Sequence, residues 1–164
     1  MNGPRDPSIE IRRAGPEHAA SVAEVYLSAF HATYDFPLAH TDEQVRAWIR
    51  DVLVPSGDTW VATMGGTIVA MLALHGEDLD QLYVAPQAQG LGVGSRLVEA
   101  AKRLSPGGLG LYTFQVNARA RRFYERRGFV ADAFGDGSGN EEGQPDVHYR
   151  WLPGAGPTSG QDVT

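Results

Sequence analysis

Between two apolar runs, Leu79 to Pro86 and Ser95 to Leu104, the chain reads Gln89-Gly90-Leu91-Gly92-Val93-Gly94. A strand-like segment that empties through three glycines into the first turn of a helix constrains the fold strongly. Backbone N–H groups converge at such a turn, and the helix dipole adds partial positive charge, so the turn predicts an anion site. Glycine matters because a Cβ keeps a bulky anion such as a diphosphate away from the main chain. The spacing G-x-G-x-G differs from the dinucleotide fingerprint G-x-G-x-x-G, and no Gly-Lys-Ser/Thr follows as a P-loop requires. On the hexapeptide alone, a plain tight turn is an equal reading.

The flanking pattern supplies an element order. Ile9 and Ile11 alternate with charge, predicting a short strand. Gly15-Pro16 starts a helix with proline in its first turn and an apolar face of Ala19, Val22, Ala23, Tyr26, Leu27 and Phe30. Thr41-Asp42-Glu43-Gln44 reads as a capping box opening a second helix, with Val45, Trp48, Ile49, Val52 and Leu53 as its inward stripe. Thr59 to Thr63, a Gly65-Gly66 turn and Thr67 to His75 predict a hairpin. A strand at 79–86, a helix at 92–104, a strand at 109–115 and a helix at 118–127 follow. Strands over 129–134 and 146–152 close the series around a polar loop. Residues 1–8 and 153–164 are expected to be disordered, leaving one domain over 9–152.

After the break at Ser105-Pro106-Gly107-Gly108 comes Leu109 to Phe114, then Asn117-Ala-Arg-Ala-Arg-Arg-Phe-Tyr-Glu-Arg-Arg-Gly-Phe129. With Leu82-Tyr83-Val84 and the glycine turn, in this order and spacing, positions 79–130 resemble the GNAT superfamily of acyl-CoA-dependent N-acyltransferases. The resemblance implies an α/β fold (α+β by some schemes). Its core is a mixed, mostly antiparallel sheet of about seven strands with helices on both faces. The strands at 79–86 and 109–115 are expected to run parallel and splay apart. It implies acetyl-CoA as co-substrate and no metal, with the diphosphate on the backbone of Gln89, Gly90, Leu91, Gly92, Val93, Gly94, Ser95 and Arg96. The pantetheine arm is expected along Leu82, Tyr83 and Val84, with a contact from Asn117, which is equally an N-cap for the helix behind it.

Tyr124 aligns with the family's tyrosine near the coenzyme sulfur and is expected to be the general acid. A phenol near pKa ~10 can protonate a departing thiolate without ionising at neutral pH. Phe123 beside it reads as core. Asp80 is the candidate general base, with Glu77, Asp78 and His75 nearby; a solvated acidic turn is the competing reading. The expected acceptor pocket draws on Phe30, Tyr34, Asp35, Trp60, Glu77, Asn140, Glu141 and Glu142. The chain has no cysteine, which points to direct attack in a ternary complex rather than an acyl-cysteine intermediate.

Net charge is −6, yet from Arg96 to Arg127 there are eight basic residues and two acidic ones. Such a segment beside the turn suits a phosphate-rich ligand, while the acidic remainder disfavours nucleic acid and suits a cationic amine. The longest apolar run, Ile68 to Leu74, is far short of the ~20 residues that span a bilayer. No membrane partner and a cytoplasmic location are expected. The expected partner is an amine on a small molecule or peptide, with a homodimer possible. The alternatives are an acyl-CoA sensor without turnover and an enzyme specialised for protein substrates.

Overall fold

The structure, a computed structural model, describes residues 8–154. The disorder expected for 1–8 and 153–164 concerns residues that, apart from Ser8, Pro153 and Gly154, lie outside that range. The described residues run β1 (Ile9–Arg13), α1 (Ala19–Thr33), α2 (Asp42–Trp48), β2 (Thr59–Met64), β3 (Thr67–His75) and β4 (Asp78–Val84). They continue with α3 (Val93–Leu104), β5 (Leu109–Phe114), α4 (Ala118–Glu125), β6 (Val130–Gly135) and β7 (Asp146–Trp151). The strands form one seven-stranded sheet in the order β1-β2-β3-β4-β5-β7-β6. Every pairing is antiparallel except β4 with β5.

The central strands bury both faces, and their alternation divides the core in two. Val61, Met71 and Ala73 pack with Val22, Leu27, Val45 and Ile49 under α1 and α2. Ala62, Ala70 and Leu72 pack with Val93, Leu97, Val98 and Tyr124 under α3 and α4. A run of consecutive apolar residues in β3 is what a strand covered by helices on both sides requires.

The second helix departs from its predicted stripe. Thr41 caps it as expected: its hydroxyl accepts from Gln44 N–H at 3.1 Å and its own N–H donates to Gln44 Oε1 at 2.9 Å. Beyond Trp48 the coil widens, so that Val54 N–H bonds the Ile49 carbonyl five residues back. That π-type turn shifts the phase of the side chains. Val52, expected inward, is 57% exposed, while Leu53 and Val54 take the buried positions.

The cap governs a helix of only seven residues. Thr41→Ala is expected to lower stability by about 1 kcal/mol. This should appear in a thermal melt as a fall of roughly 2–4 °C.

Candidate active site

β4 and β5 share a single parallel register pair, Asp78 with Gly110. There Gly110 N–H donates to the Glu77 carbonyl at 2.9 Å. Past that joint the strands separate, each held on its outer side, β4 by β3 and β5 by β7. Ala85 N–H bonds the Val69 carbonyl at 2.8 Å, which marks the residues of β4 whose polar groups face β3. By antiparallel alternation, Leu82 and Val84 point their N–H and C=O groups the other way, into the gap. The gap is an open cleft of about 1730 Å³ that reaches from the glycine turn to the loop before β7.

A bulge sets the position of one acid in this wall. Ala73 pairs with Gln81 and Leu74 with Leu79, so Asp80 has no opposite number. The extra residue turns Leu79 onto the same core face as Leu82 and Val84. Asp80 itself lines the cleft, and burial pushes its carboxyl above the usual range, with a hydrogen bond to Gln81 pulling the other way. Glu77 and His75 belong elsewhere. They sit at the joined end of the strands, and Glu77 is seven residues, about 23 Å of strand, from Val84.

At the opposite end, Gly90 and Gly92 adopt left-handed backbone, with φ of 80° and 85°. A Cβ on either would meet nothing within 4 Å, so both face open space. Gly92 caps α3 without any side-chain bond, and the first helical bond runs from Arg96 N–H to the Gly92 carbonyl at 3.2 Å. The amides of Val93, Gly94 and Ser95 precede any intrahelical acceptor, which leaves donors for an anion. Gly94 has another reason to be glycine. Its absent Cβ would lie 3.2 Å from Phe123 Cζ, so it is the seat on which α4 rests.

Other residues of the turn contribute main chain rather than side chains. Val93 is 1% exposed in the core, and Leu91, 53% exposed, points away from the cleft. Gln89 closes the end of β4 by donating to the Val84 carbonyl at 3.1 Å. The Ser95 hydroxyl accepts from Arg127. Arg96, whose backbone is expected at this turn, sends its side chain to the Ile9 carbonyl of β1 at 3.4 Å. The cleft draws its positive charge from α4 and the turn after it: Arg119, Arg122, Arg126 and Arg127 line it. The basic segment from Arg96 to Arg127 held that signal, and its second half supplies the arginines that line the cleft.

Tyr124 forms the floor, 8% exposed, its ring against Phe123, Phe129 and Tyr149 at 5.1, 5.5 and 6.4 Å. Burial pushes its phenol far above the ordinary value, the neighbouring Tyr34 adds to that, and Arg127 opposes it. Asn117 caps α4, accepting from Ala120 N–H at 3.0 Å, and donates to the Tyr34 hydroxyl at 2.9 Å. Tyr83 is hydrogen-bonded to Tyr26 across the α1 side, and burial pushes Tyr26 up to about 12. Tyr34, Tyr83 and Tyr124 line the cleft with Tyr26 packed behind Tyr83, and burial raises the pKa of all four.

The residues nominated for the acceptor separate into three groups. Tyr34 lines the cleft and stands in an aromatic wall with Phe36 and Phe114, ring centroids 4.9 and 5.2 Å away. Phe30, fully buried, backs Tyr34 at 4.8 Å. Asn140 lines the cleft but folds its own loop, donating to the Gln144 carbonyl at 2.7 Å. Glu141 and Glu142 tie that loop to the one before α2, by 2.9 Å to His40 and 3.0 Å to Ala39 N–H. Asp35 is exposed beside them. Trp60 is not brought to the cleft: it lies on β2 against β1, with the Arg13 guanidinium 4.9 Å from its ring.

A family model described as an acetyltransferase (GNAT) domain matches residues 55–131. The peptidyl-lysine N-acetyltransferase YjaB of Salmonella typhimurium is 33% identical over 122 residues, which is 74% of this chain and 83% of that protein. The chain belongs to the GNAT superfamily. The solution structure of apo YjaB from Escherichia coli superposes with a TM-score of 0.74 at 26% identity, over 89% of this chain and 99% of that one. The fold also matches the PaiA N-acetyltransferase of Thermoplasma acidophilum in complex with coenzyme A, with a TM-score of 0.66 at 21% identity over 88% and 99% of the two chains. This chain is an acetyl-CoA-dependent N-acetyltransferase that acts on an amine.

The cleft suits that co-substrate: a strand edge with free polar groups, a glycine turn open to an anion, and arginines beyond it. No helix among the described residues is long and apolar enough to cross a membrane. No group of three or more His, Cys, Asp or Glu among them is placed to hold a metal.

Phe123 is trapped between Gly94 and the Arg127 guanidinium, whose carbon stands 3.8 Å from the ring centroid. It cannot retreat from a new side chain. Gly94→Val is expected to cost about 1–3 kcal/mol of stability. It should also weaken coenzyme A binding, both effects read by thermal melts with and without ligand. A variant as stable and as responsive as the parent would remove this role for Gly94.

Proposed function

We propose that the enzyme acetylates the side-chain amine of lysine in peptides or proteins, by direct attack within a ternary complex. The observation that carries the reading is the open acceptor mouth, walled by Tyr34 and Phe114 and rimmed by carboxylates. The rim loops 34–41 and 136–145 hold four Asp or Glu and no Lys or Arg. A chain bearing cationic side chains meets complementary charge there. The relatives named as peptidyl-lysine N-acetyltransferases support the same class.

Acetyl-CoA supplies the thioester. The residues around it have three tasks. The main-chain groups of Leu82 and Val84 hold the pantetheine arm as an added strand, and Val84 N–H is the donor offered to the acyl oxygen. Asp80 takes the ammonium proton, directly or through water, so that the neutral nitrogen forms its bond to the acyl carbon. As the carbon–sulfur bond breaks, the nitrogen releases its second proton to solvent, and Tyr124 gives its proton to the thiolate and recovers one from solvent.

Tyr124→Phe keeps the ring and deletes the proton. It is expected to reduce kcat by roughly a hundredfold with little change in the KM for acetyl-CoA. Asp80→Asn should lower kcat at neutral pH and flatten the acid limb of its pH profile. That limb belongs to a carboxylate raised by burial, so in the parent it falls at a pH above the ordinary ~3.9. An unchanged acid limb in Asp80→Asn would remove the base assignment.

The acceptor class is tested by release of free thiol from acetyl-CoA with matched substrates: lysine peptides with basic, neutral and acidic flanks, and free small amines. Peptide turnover that falls in that order, with mass spectrometry placing the acetyl group on lysine, supports the proposal. Turnover confined to free small amines overturns it.

A further inference from the structure

The cleft carries more positive charge than the glycine turn explains. Arg119, Arg122, Arg126 and Arg127 all line it. Two of these are committed within the protein. Arg119 donates to Gln89 Oε1 at 2.9 Å. Arg127 donates to Ser95 Oγ and, at 2.8 Å, to the Phe123 carbonyl, with its guanidinium stacked on the Phe123 ring. Arg121 faces away and donates to the Tyr149 hydroxyl at 3.0 Å. Arg122 and Arg126 are exposed, line the cleft, and make no side-chain hydrogen bond or ion pair among the described residues.

These two lie four residues apart, one turn of helix, where like charges repel. The nearby acids do not relieve them. Glu125 is engaged by the Tyr149 hydroxyl at 2.6 Å, and Glu99, on α3, faces Arg127. Two guanidinium groups on adjacent turns present a fork of donors that suits a dianionic phosphate monoester, with three free oxygens, better than a diester or diphosphate link. Coenzyme A carries one such group, the 3′-phosphate on its ribose, in addition to the diphosphate.

We infer that Arg122 and Arg126 form a clamp for the ribose 3′-phosphate of coenzyme A, making this enzyme selective for the phosphorylated coenzyme over its dephospho form. The inference rests on the coenzyme A reading of the cleft and is independent of which amine is acetylated. It separates two anion sites in one groove. Backbone amides at the start of α3 take the diphosphate, and side chains on the adjacent helix take the monoester.

The test is a binding cycle measured by calorimetry, with coenzyme A and dephospho-coenzyme A as probes and no acceptor present. The proteins are the parent, the double variant Arg122→Ala/Arg126→Ala, and Arg103→Ala as a control for the loss of a cation outside the cleft. The parent is expected to bind coenzyme A about tenfold more tightly than the dephospho form. The double variant should bind both forms alike, at the parent's affinity for the dephospho form, and Arg103→Ala should keep the parent's ratio. Both clamp residues are exposed, so a thermal melt close to the parent's is expected and confirms that the variant is folded. A double variant that weakens both probes by the same factor overturns the clamp, because the arginines then act on a group the two ligands share. A double variant that changes neither affinity also overturns it, and a parent that binds neither probe overturns the coenzyme reading beneath it.

Discussion

The separation of β4 from β5 after one shared pair is the constraint on which the rest depends. A parallel pair left unzipped exposes a row of backbone donors and acceptors on each strand, and such groups are costly to bury without partners. The fold meets that cost by keeping the gap open to solvent and by anchoring each strand fully on its other side. The bulge at Asp80 sits just past the joint, where added twist directs β4 away from β5. The result is a binding edge that an extended, amide-bearing ligand can complete. Tyr124 lines the floor of that edge, because α4 packs across the gap through Phe123 on Gly94.

Charge follows the same geometry. One flank of the cleft is α4 and the turn after it, with five arginines against one glutamate from Ala118 to Arg127. The opposite mouth is framed by acidic loops that are tied to each other through His40, Glu141, Ala39 and Glu142. The phosphate-rich co-substrate meets complementary charge along α4, and the acidic loops give the other mouth the opposite sign. With no cysteine in the chain, an acyl-cysteine intermediate is not available to it.

Much of this was legible because the informative signals are local. The glycine turn, the Thr41 cap, the strand–helix order and the Asn117 to Phe129 segment are each determined within a dozen residues, and each is found where the sequence placed it. The losses occur where local spacing does not determine direction. Val52 slipped outward because a single π-type turn rephases a helix. Arg96 is one turn into α3 from the glycines, but its side chain leaves toward β1. Glu77 is three residues from Asp80, yet it sits at the closed end of the strand pair while Asp80 is carried into the cleft by the bulge. Trp60 is adjacent to nothing in the site, since β2 lies two strands away from β4. Gly94, which lines the cleft, also makes room for Phe123, a contact twenty-nine residues distant that no window on the glycine motif contains.

The proton chemistry rests on opposite uses of the same physical effect. Burial raises the phenol of Tyr124 and the carboxyl of Asp80 alike, because both lose solvation of their charged forms. For the phenol the shift moves ionisation further from neutrality, so the hydroxyl stays protonated and is available as a hydrogen-bond donor. For the carboxyl the shift moves ionisation toward neutrality, which makes the anion a stronger base. Tyr26, Tyr34 and Tyr83 add hydroxyls to the same end without adding charge. The cleft thereby sets an uncharged hydroxyl in its floor and a carboxyl of raised proton affinity in its wall.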